Sequence, residues 1–377
     1  MKLAGFSIYR YTLPFNEPVT LGGARFESRE GLLLELKDAA GAKGWGETSP
    51  LPGFSRESLE EAGHRLYELA TYFVKNAGPL ENPLSKGLFS EGLKDTRMPP
   101  SVRFGLELAV LNLYAASQGK TLPEVFSGEP GTTVALNGLL AGSRDRVLEE
   151  ARRMQKAGYA AVKLKVGSRN VREDVETVRA VSEVLGEGVD LRLDANRAWN
   201  FEEAVEFCRA TVEYRYEYLE EPLAEPFAEP LAGRARLRRL AEDYGVPVAL
   251  DESLVGMEPG ELRGHGYARA AVLKPTLLGG VSRALRLARE ARRGGILPVI
   301  SSAYETGVGT SALISLSAGI GDGDIPAGLD TYRRLEYDVY EPGLDLAAPS
   351  VDLQQVFDGR VPDLSRLERV YRSTPES

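Results

Sequence analysis

The sequence predicts an α/β protein: a (β/α)8 TIM-type barrel preceded by an α+β capping domain, with a C-terminal segment packing back on the cap. Three observations lead there. From about residue 130, short apolar runs alternate with amphipathic stretches in a repeating strand–helix rhythm. Residues 1–125 lack that rhythm, and it stops again after about residue 332. The 377 residues therefore divide into a cap (1–125), a barrel (126–331) and a returning segment (332–377).

In the cap, FSIYRYTLPF and the pair GLLLELKD and KGWGETSP read as antiparallel strands, with AAGA as a hairpin turn. RESLEEAGHRLYELATYFVK (56–75) and PSVRFGLELAVLNLYAAS (100–117) read as helices, and the Pro- and Gly-rich NAGPLENPLSKGLFSEG (76–92) as a loop. The barrel strands are TVALNG (133–138), AVKLKV (161–166), VDLRLDA (189–195), YEYLEE (216–221), PVALDE (247–252), AAVLKP (270–275), LPVISS (297–302) and a weak DIPAGL (324–329). Between them lie helices such as RDRVLEEARRMQKAG (144–158) and VSRALRLAREARRGG (281–295). In the latter, Ala284, Leu287, Ala288 and Ala291 share one buried face. Alternating strands and helices imply parallel pairing. Eight units over about 200 residues fit a closed barrel better than an open doubly wound sheet. An open sheet would want a glycine-rich phosphate loop after its first strand, and NGLLAGS (137–143) matches that poorly.

Composition narrows the function. The net charge is −9, from 46 basic and 55 acidic residues, with no long basic block. That balance argues against nucleic acid or a membrane surface as partner. No apolar run approaches the roughly 18 residues of a membrane helix, and the first residues lack the continuous apolar stretch of a secretory signal. A single cysteine, Cys208, forbids an internal disulfide and suits a reducing cytoplasm. With only His64 and His265 present, His-rich zinc sites are excluded and a Ser-His-Asp triad is disfavoured. Catalysis must lean on Lys, Asp, Glu and bound metal.

The strand ends supply those groups. AVKLKV places Lys163 and Lys165 on one face, and later strands end in Asp194, Glu220, Asp251 and Lys274. From Lys165 the intervals are 29, 26, 31 and 23 residues, about one strand–helix unit each. Such spacing returns the chain to the C-terminal rim, where barrel active sites are built. Three carboxylates converging there form a hard oxygen cage suited to Mg²⁺. Lysines flanking the metal suit proton abstraction beside a carboxylate, whose enediolate needs fixed positive charge. Lys163, close to Lys165, is expected to disfavour protonation of its neighbour. Taken singly these signals are bland: an Asp at a strand end more often caps the next helix, and KxK alone could be a solvent-facing edge. Parity prefers Glu220, which shares a face with Tyr218, over Glu221. The ordered set is what carries weight.

At these residues the chain resembles the enolase superfamily, in its muconate-cycloisomerase-like branch, where an α+β cap joins a barrel carrying KxK, three acidic ligands and a last lysine. GWGETSPLPGFSRES (44–58), LRLDANRAWN (191–200), LDESL (250–254), VLKPTLLGG (272–280), VISS (299–302) and IPAGLDT (325–331) are similar to the o-succinylbenzoate synthase family of menaquinone biosynthesis. The resemblance runs from about residue 27 to 332. It implies a lyase: Mg²⁺-dependent syn dehydration of 2-succinyl-6-hydroxy-2,4-cyclohexadiene-1-carboxylate to o-succinylbenzoate, with Mn²⁺ able to substitute. It further implies Asp194, Glu220 and Asp251 as metal ligands, and Lys165 as the base that then protonates the departing hydroxyl. Lys274 would hold the enediolate electrostatically, and Lys163 would tune Lys165. Ser301 and the backbone around Gly328 occupy positions that contact the succinyl tail. Arg192, on the face of Asp194, is either a further positioning group for substrate or an inward structural arginine. Leu21–Glu27 and the loop Pro50–Ser55 would close the cap over the site. Where the family pattern has another serine, this chain has Ala303.

The same branch also supports an N-acylamino acid racemase or dipeptide epimerase, using both lysines as opposed bases. A remoter reading is a non-catalytic binding protein, against which the intact set from Lys163 to Lys274 argues. The sequence leaves oligomeric state open.

Overall fold

The structure, a computed structural model, describes residues 2–21, 23–76, 83–84, 98–224, 230–258, 260–321 and 323–373. The chain opens as a long antiparallel hairpin. Leu3–Leu21 pairs with Ala24–Asp38, which pairs in turn with Lys43–Thr48. Helices Leu59–Asn76 and Pro100–Ser117 pack on this sheet. The second comes unusually close, because a Cβ on Gly46 would lie 1.9 Å from the Gly105 carbonyl oxygen. KGWG thus alternates glycines, which admit a helix backbone, with the buried Trp45. The loop read at 76–92 falls, apart from residues 76, 83 and 84, outside the described residues.

Seven parallel strands follow, each beside the next in chain order: Asn137–Leu140, Ala161–Lys165, Asp190–Asp194, Tyr218–Glu220, Val248–Leu250, Ala270–Leu273 and Leu297–Ile300. The segment read as an eighth strand forms no regular strand. It closes the curled sheet through two bridges, Ala327 to Leu136 and Gly328 to Ser301. TVALNG, read as one strand, is split. Thr133–Ala135 pairs antiparallel with the returning Ser350–Asp352, and the first barrel strand begins only at Asn137. Tyr218, Ala249, Ala270, Val272 and Val299 form their own apolar cluster inside the barrel, so the interior is packed and not a pore.

Helices Arg144–Ala157, Val171–Leu185 and Phe201–Ala210 are capped by Ser143, Asn170 and Asn200, each accepting the N–H three residues on. These loop residues satisfy the helix starts, and the strand-end Asp194 is left free of that duty. The cap supplies two further buried carboxylates to barrel helices. Glu107 accepts the Ser282 N–H (2.9 Å) at the start of Val281–Arg293. Glu47 accepts the Thr306 and Gly309 N–H groups and the Thr306 hydroxyl at the start of Gly307–Gly321. A Cβ on Gly280, whose φ is +108°, would meet Glu107 at 2.5 Å, so glycine is required there. Finally Glu368–Arg372 joins the cap sheet beside Leu3–Leu21. Among the described residues no helix is long and apolar enough to cross a membrane.

Candidate active site

Parallel register brings the strand-end groups to one level: Lys165 stands opposite Asp194, and Asp194 opposite Glu220. Asp251 and Lys274 follow directly on the fifth and sixth strands, Val248–Leu250 and Ala270–Leu273. The six groups meet at the C-terminal rim. Lys163 Nζ lies 2.8 Å from each oxygen of Glu220 and 2.7 Å from Asp194 Oδ2. Lys165 Nζ lies 2.7 Å from the same Asp194 oxygen and donates also to the Asn196 side chain. Lys274 donates to Asp251.

This arrangement revises the expectation drawn from two adjacent lysines. Their charges are not left facing one another, because Asp194 bridges both ammoniums. Burial alone would pull the Lys163 ammonium down, but Asp194 and Glu220 outweigh it and hold it well above the ordinary lysine range. Burial would likewise raise Asp194, yet Lys163 and Lys165 hold its carboxyl far below the usual carboxylate range. Lys274 is raised too: burial opposes its charge, and Asp251 and Glu252 more than compensate.

Whether the site suits a divalent cation follows from its charge. Five buried carboxylates (Asp194, Glu220, Glu221, Asp251 and Glu252) stand against three ammoniums, a formal surplus of two negative charges. Burial pushes Glu220, Glu221 and Glu252 up to about 7, each with a neighbouring carboxylate adding to the rise. Both oxygens of Glu252 are buried without a hydrogen-bond partner. A hard divalent ion would relieve that surplus, and the donors are all oxygen. As they stand, no three His, Cys, Asp or Glu side chains among the described residues form a ready-made ion cage, since lysine ammoniums sit between the carboxylates. Glu221 has another task. Its carboxylate accepts the Asp251 and Ser253 N–H groups (2.9 and 2.7 Å) and the Ser253 hydroxyl (3.0 Å), which fixes the loop carrying Asp251.

The three lysines open into a cavity of about 680 Å³. Lys163, Lys165, Lys274, Ser301 and Gly328 line it from the barrel, and Leu21, Leu51 and Phe54 from the cap. Gly22 lies outside the described residues. Side-chain exposure separates the lysines, at 34% for Lys165 against 9% for Lys163 and 14% for Lys274. Ser301 Oγ is 3.2 Å from the Gly328 carbonyl oxygen, while the Gly328 N–H is engaged by Ile300 in closing the barrel. Ala303 also lines the cavity, offering only a methyl group. A second cavity of about 530 Å³ shares Phe54 and is lined by Asp251, Glu252 and Arg197.

Arg192 does not line either cavity. It is 1% exposed and bonds Glu217 (2.7 Å), the Asn137 side chain (3.0 Å) and the Pro326 carbonyl (2.7 Å). It therefore stitches the first strand to the closing segment, contacts that favour the inward structural arginine of the two alternatives. Two residues were not singled out from sequence: Asn196, which holds Lys165, and the orphaned Glu252. Each lies within two residues of a candidate ligand, in LDAN and LDES, and that adjacency was the available signal.

Two family models match the chain: "Enolase C-terminal domain-like" over residues 146–356 and "MenC, N-terminal domain" over residues 3–113. The o-succinylbenzoate synthase of Edwardsiella ictaluri is 33% identical over 88% of this chain and 91% of its own length. That of Pectobacterium atrosepticum is 32% identical over 93% of this chain and 97% of its own. Among solved structures, the dipeptide epimerase of Enterococcus faecalis, complexed with Mg and a dipeptide, superposes with a TM-score of 0.82. It shares 23% identity over 98% of this chain and 100% of that one; at that identity the likeness speaks for the fold.

Proposed function

The chain belongs to the o-succinylbenzoate synthase family of the enolase superfamily, and from that premise we propose how its own residues carry the reaction. The enzyme is a carbon–oxygen lyase that forms o-succinylbenzoate in menaquinone biosynthesis. Its substrate is the small carboxylate 2-succinyl-6-hydroxy-2,4-cyclohexadiene-1-carboxylate.

Asp194, Glu220 and Asp251 would hold Mg²⁺, and a bound divalent cation supplies positive charge against the substrate carboxylate. Mn²⁺ accepts the same oxygen donors and substitutes for it. Lys165, the most exposed of the three lysines, is the base that takes the proton alpha to the ring carboxylate. The electron pair of that C–H bond moves onto the carboxylate. Lys165 then returns the proton to the hydroxyl on the same face as the C–O bond breaks, and water leaves as the ring becomes aromatic. Lys274, on the opposite wall, holds the developing negative charge. Lys163 keeps its proton, as its two carboxylate partners favour, and remains a fixed cation. Ser301 and the backbone at Gly328 receive the succinyl tail. Leu21, Leu51 and Phe54 exclude water above it. The buried, unpaired Cys208 supports a cytoplasmic setting.

The observation that carries this reading is that Lys165 and Lys274 enter one cavity from the second and sixth strands above a buried carboxylate surplus. A progress curve for o-succinylbenzoate with and without EDTA tests it, with an N-acylamino acid supplied in parallel. Metal-dependent product formation is expected; racemisation without o-succinylbenzoate rejects the reading.

A further inference from the structure

We infer that Arg29, a buried residue of the cap sheet, is a positioning residue that sets the wall of the substrate cavity. Arg29 is 3% exposed on the strand Ala24–Asp38. Among the described residues no carboxylate forms an ion pair with it. Its guanidinium is spent wholly on backbone carbonyls. One terminal nitrogen donates to Pro50 (2.7 Å) and Glu30 (3.3 Å), the other to Ser49 (2.5 Å) and Ala303 (3.4 Å), and Nε donates to Tyr304 (3.1 Å).

Burying a guanidinium that forms no ion pair is costly, and an apolar side chain would avoid that cost. What the guanidinium achieves is a join between the cap at Ser49–Pro50 and the barrel loop Ala303–Tyr304. Both segments continue directly into the cavity wall: Leu51 and Phe54 on one side, Ala303 and Tyr304 on the other. Tyr304 sits at φ +62°, a left-handed conformation costly for a bulky residue. The Nε hydrogen bond from Arg29 to the Tyr304 carbonyl helps hold that conformation. Lysine, a point charge on a flexible stem, cannot bridge both segments with one planar fork.

The inference deepens the proposed function, because it rests on this cavity being the substrate site. Two readouts keep them separable. In Arg29→Lys, amide hydrogen exchange should rise at least tenfold within residues 51–55 and 303–306, while the barrel helices stay protected. KM for o-succinylbenzoate formation should rise about tenfold, with kcat within about threefold and Mg²⁺ affinity unchanged. Wild-type exchange in both segments, or an unchanged KM in the folded variant, overturns the inference. Exchange confined as expected, with no lyase activity even in the wild type, would instead reject the proposed function and leave the clamp standing. Should Arg29→Lys not fold, Arg29→Gln removes the buried charge and three of the five donors, and the same two readouts decide.

Discussion

The Lys163 ammonium rests 2.8 Å from both carboxylate oxygens of Glu220. Under the proposed ligand set, its positive charge would compete with a bound cation for these oxygens. Lys163→Met should therefore bind Mg²⁺ more tightly, by about tenfold for the roughly 1.4 kcal/mol of competition removed, while turnover falls. Titration calorimetry on the folded variant checks this, and weaker Mg²⁺ binding would contradict the competition.

Lys165 and Asp194 share one hydrogen bond but have different proposed duties. Lys165→Ala should abolish turnover, by about a thousandfold or more, and leave Mg²⁺ binding within a few-fold of the wild type. Asp194→Asn should weaken Mg²⁺ binding markedly. Retained turnover in the first, or unchanged calorimetric affinity in the second, removes the corresponding assignment.

Glu107 gives the fold a pH dependence outside the site. Burial raises its carboxyl from 4.5 to about 7, against the pull of the Ser282 N–H and Arg103. The folded protein therefore holds this proton more tightly than the unfolded chain. That contribution to stability is full below about pH 4.5 and is lost as pH rises through 7. Relative to the wild type, Glu107→Gln should gain stability between pH 5 and 8, by on the order of 3 kcal/mol. Urea unfolding at the two pH values reads it; a difference that does not change with pH counts against it.

Arg192 predicts a stability effect without a catalytic one. Removing it takes from Glu217, which is 12% exposed, its close ion pair at 2.7 Å, leaving only the longer contact with Arg269 at 3.9 Å, and frees the closing segment at Pro326. Arg192→Met should lower unfolding stability by about 3–5 kcal/mol and leave KM of the folded enzyme unchanged. A raised KM at full folding would return Arg192 to the substrate site.

Strand and helix positions were legible because alternation and helical spacing are local: the second to seventh barrel strands fall within the segments the pattern marks. The rim residues were legible for a related reason, since a charged residue at the end of each successive strand–helix unit falls at the same end of the barrel. What escaped depends on partners far along the chain. TVALNG divides only because Ser350–Asp352 claims its first half. DIPAGL is reduced to bridges and its carbonyl at Pro326 is taken by Arg192. The state of the two lysines depends on Asp194, 29 residues on from Lys165, standing between them. Alternation placed Glu220 inward, but only the folded loop shows Glu221 gripping the backbone at Asp251 and Ser253.

The carboxylates of Glu47 and Glu107 are seated at the starts of two consecutive barrel helices, Val281–Arg293 and Gly307–Gly321. A cap moored at two such points cannot swing as a hinged half. With this cavity as the proposed substrate site, substrate would enter where Leu21, Leu51 and Phe54 part, and a covalent tether between cap and barrel near Glu107 should leave traffic through it undisturbed.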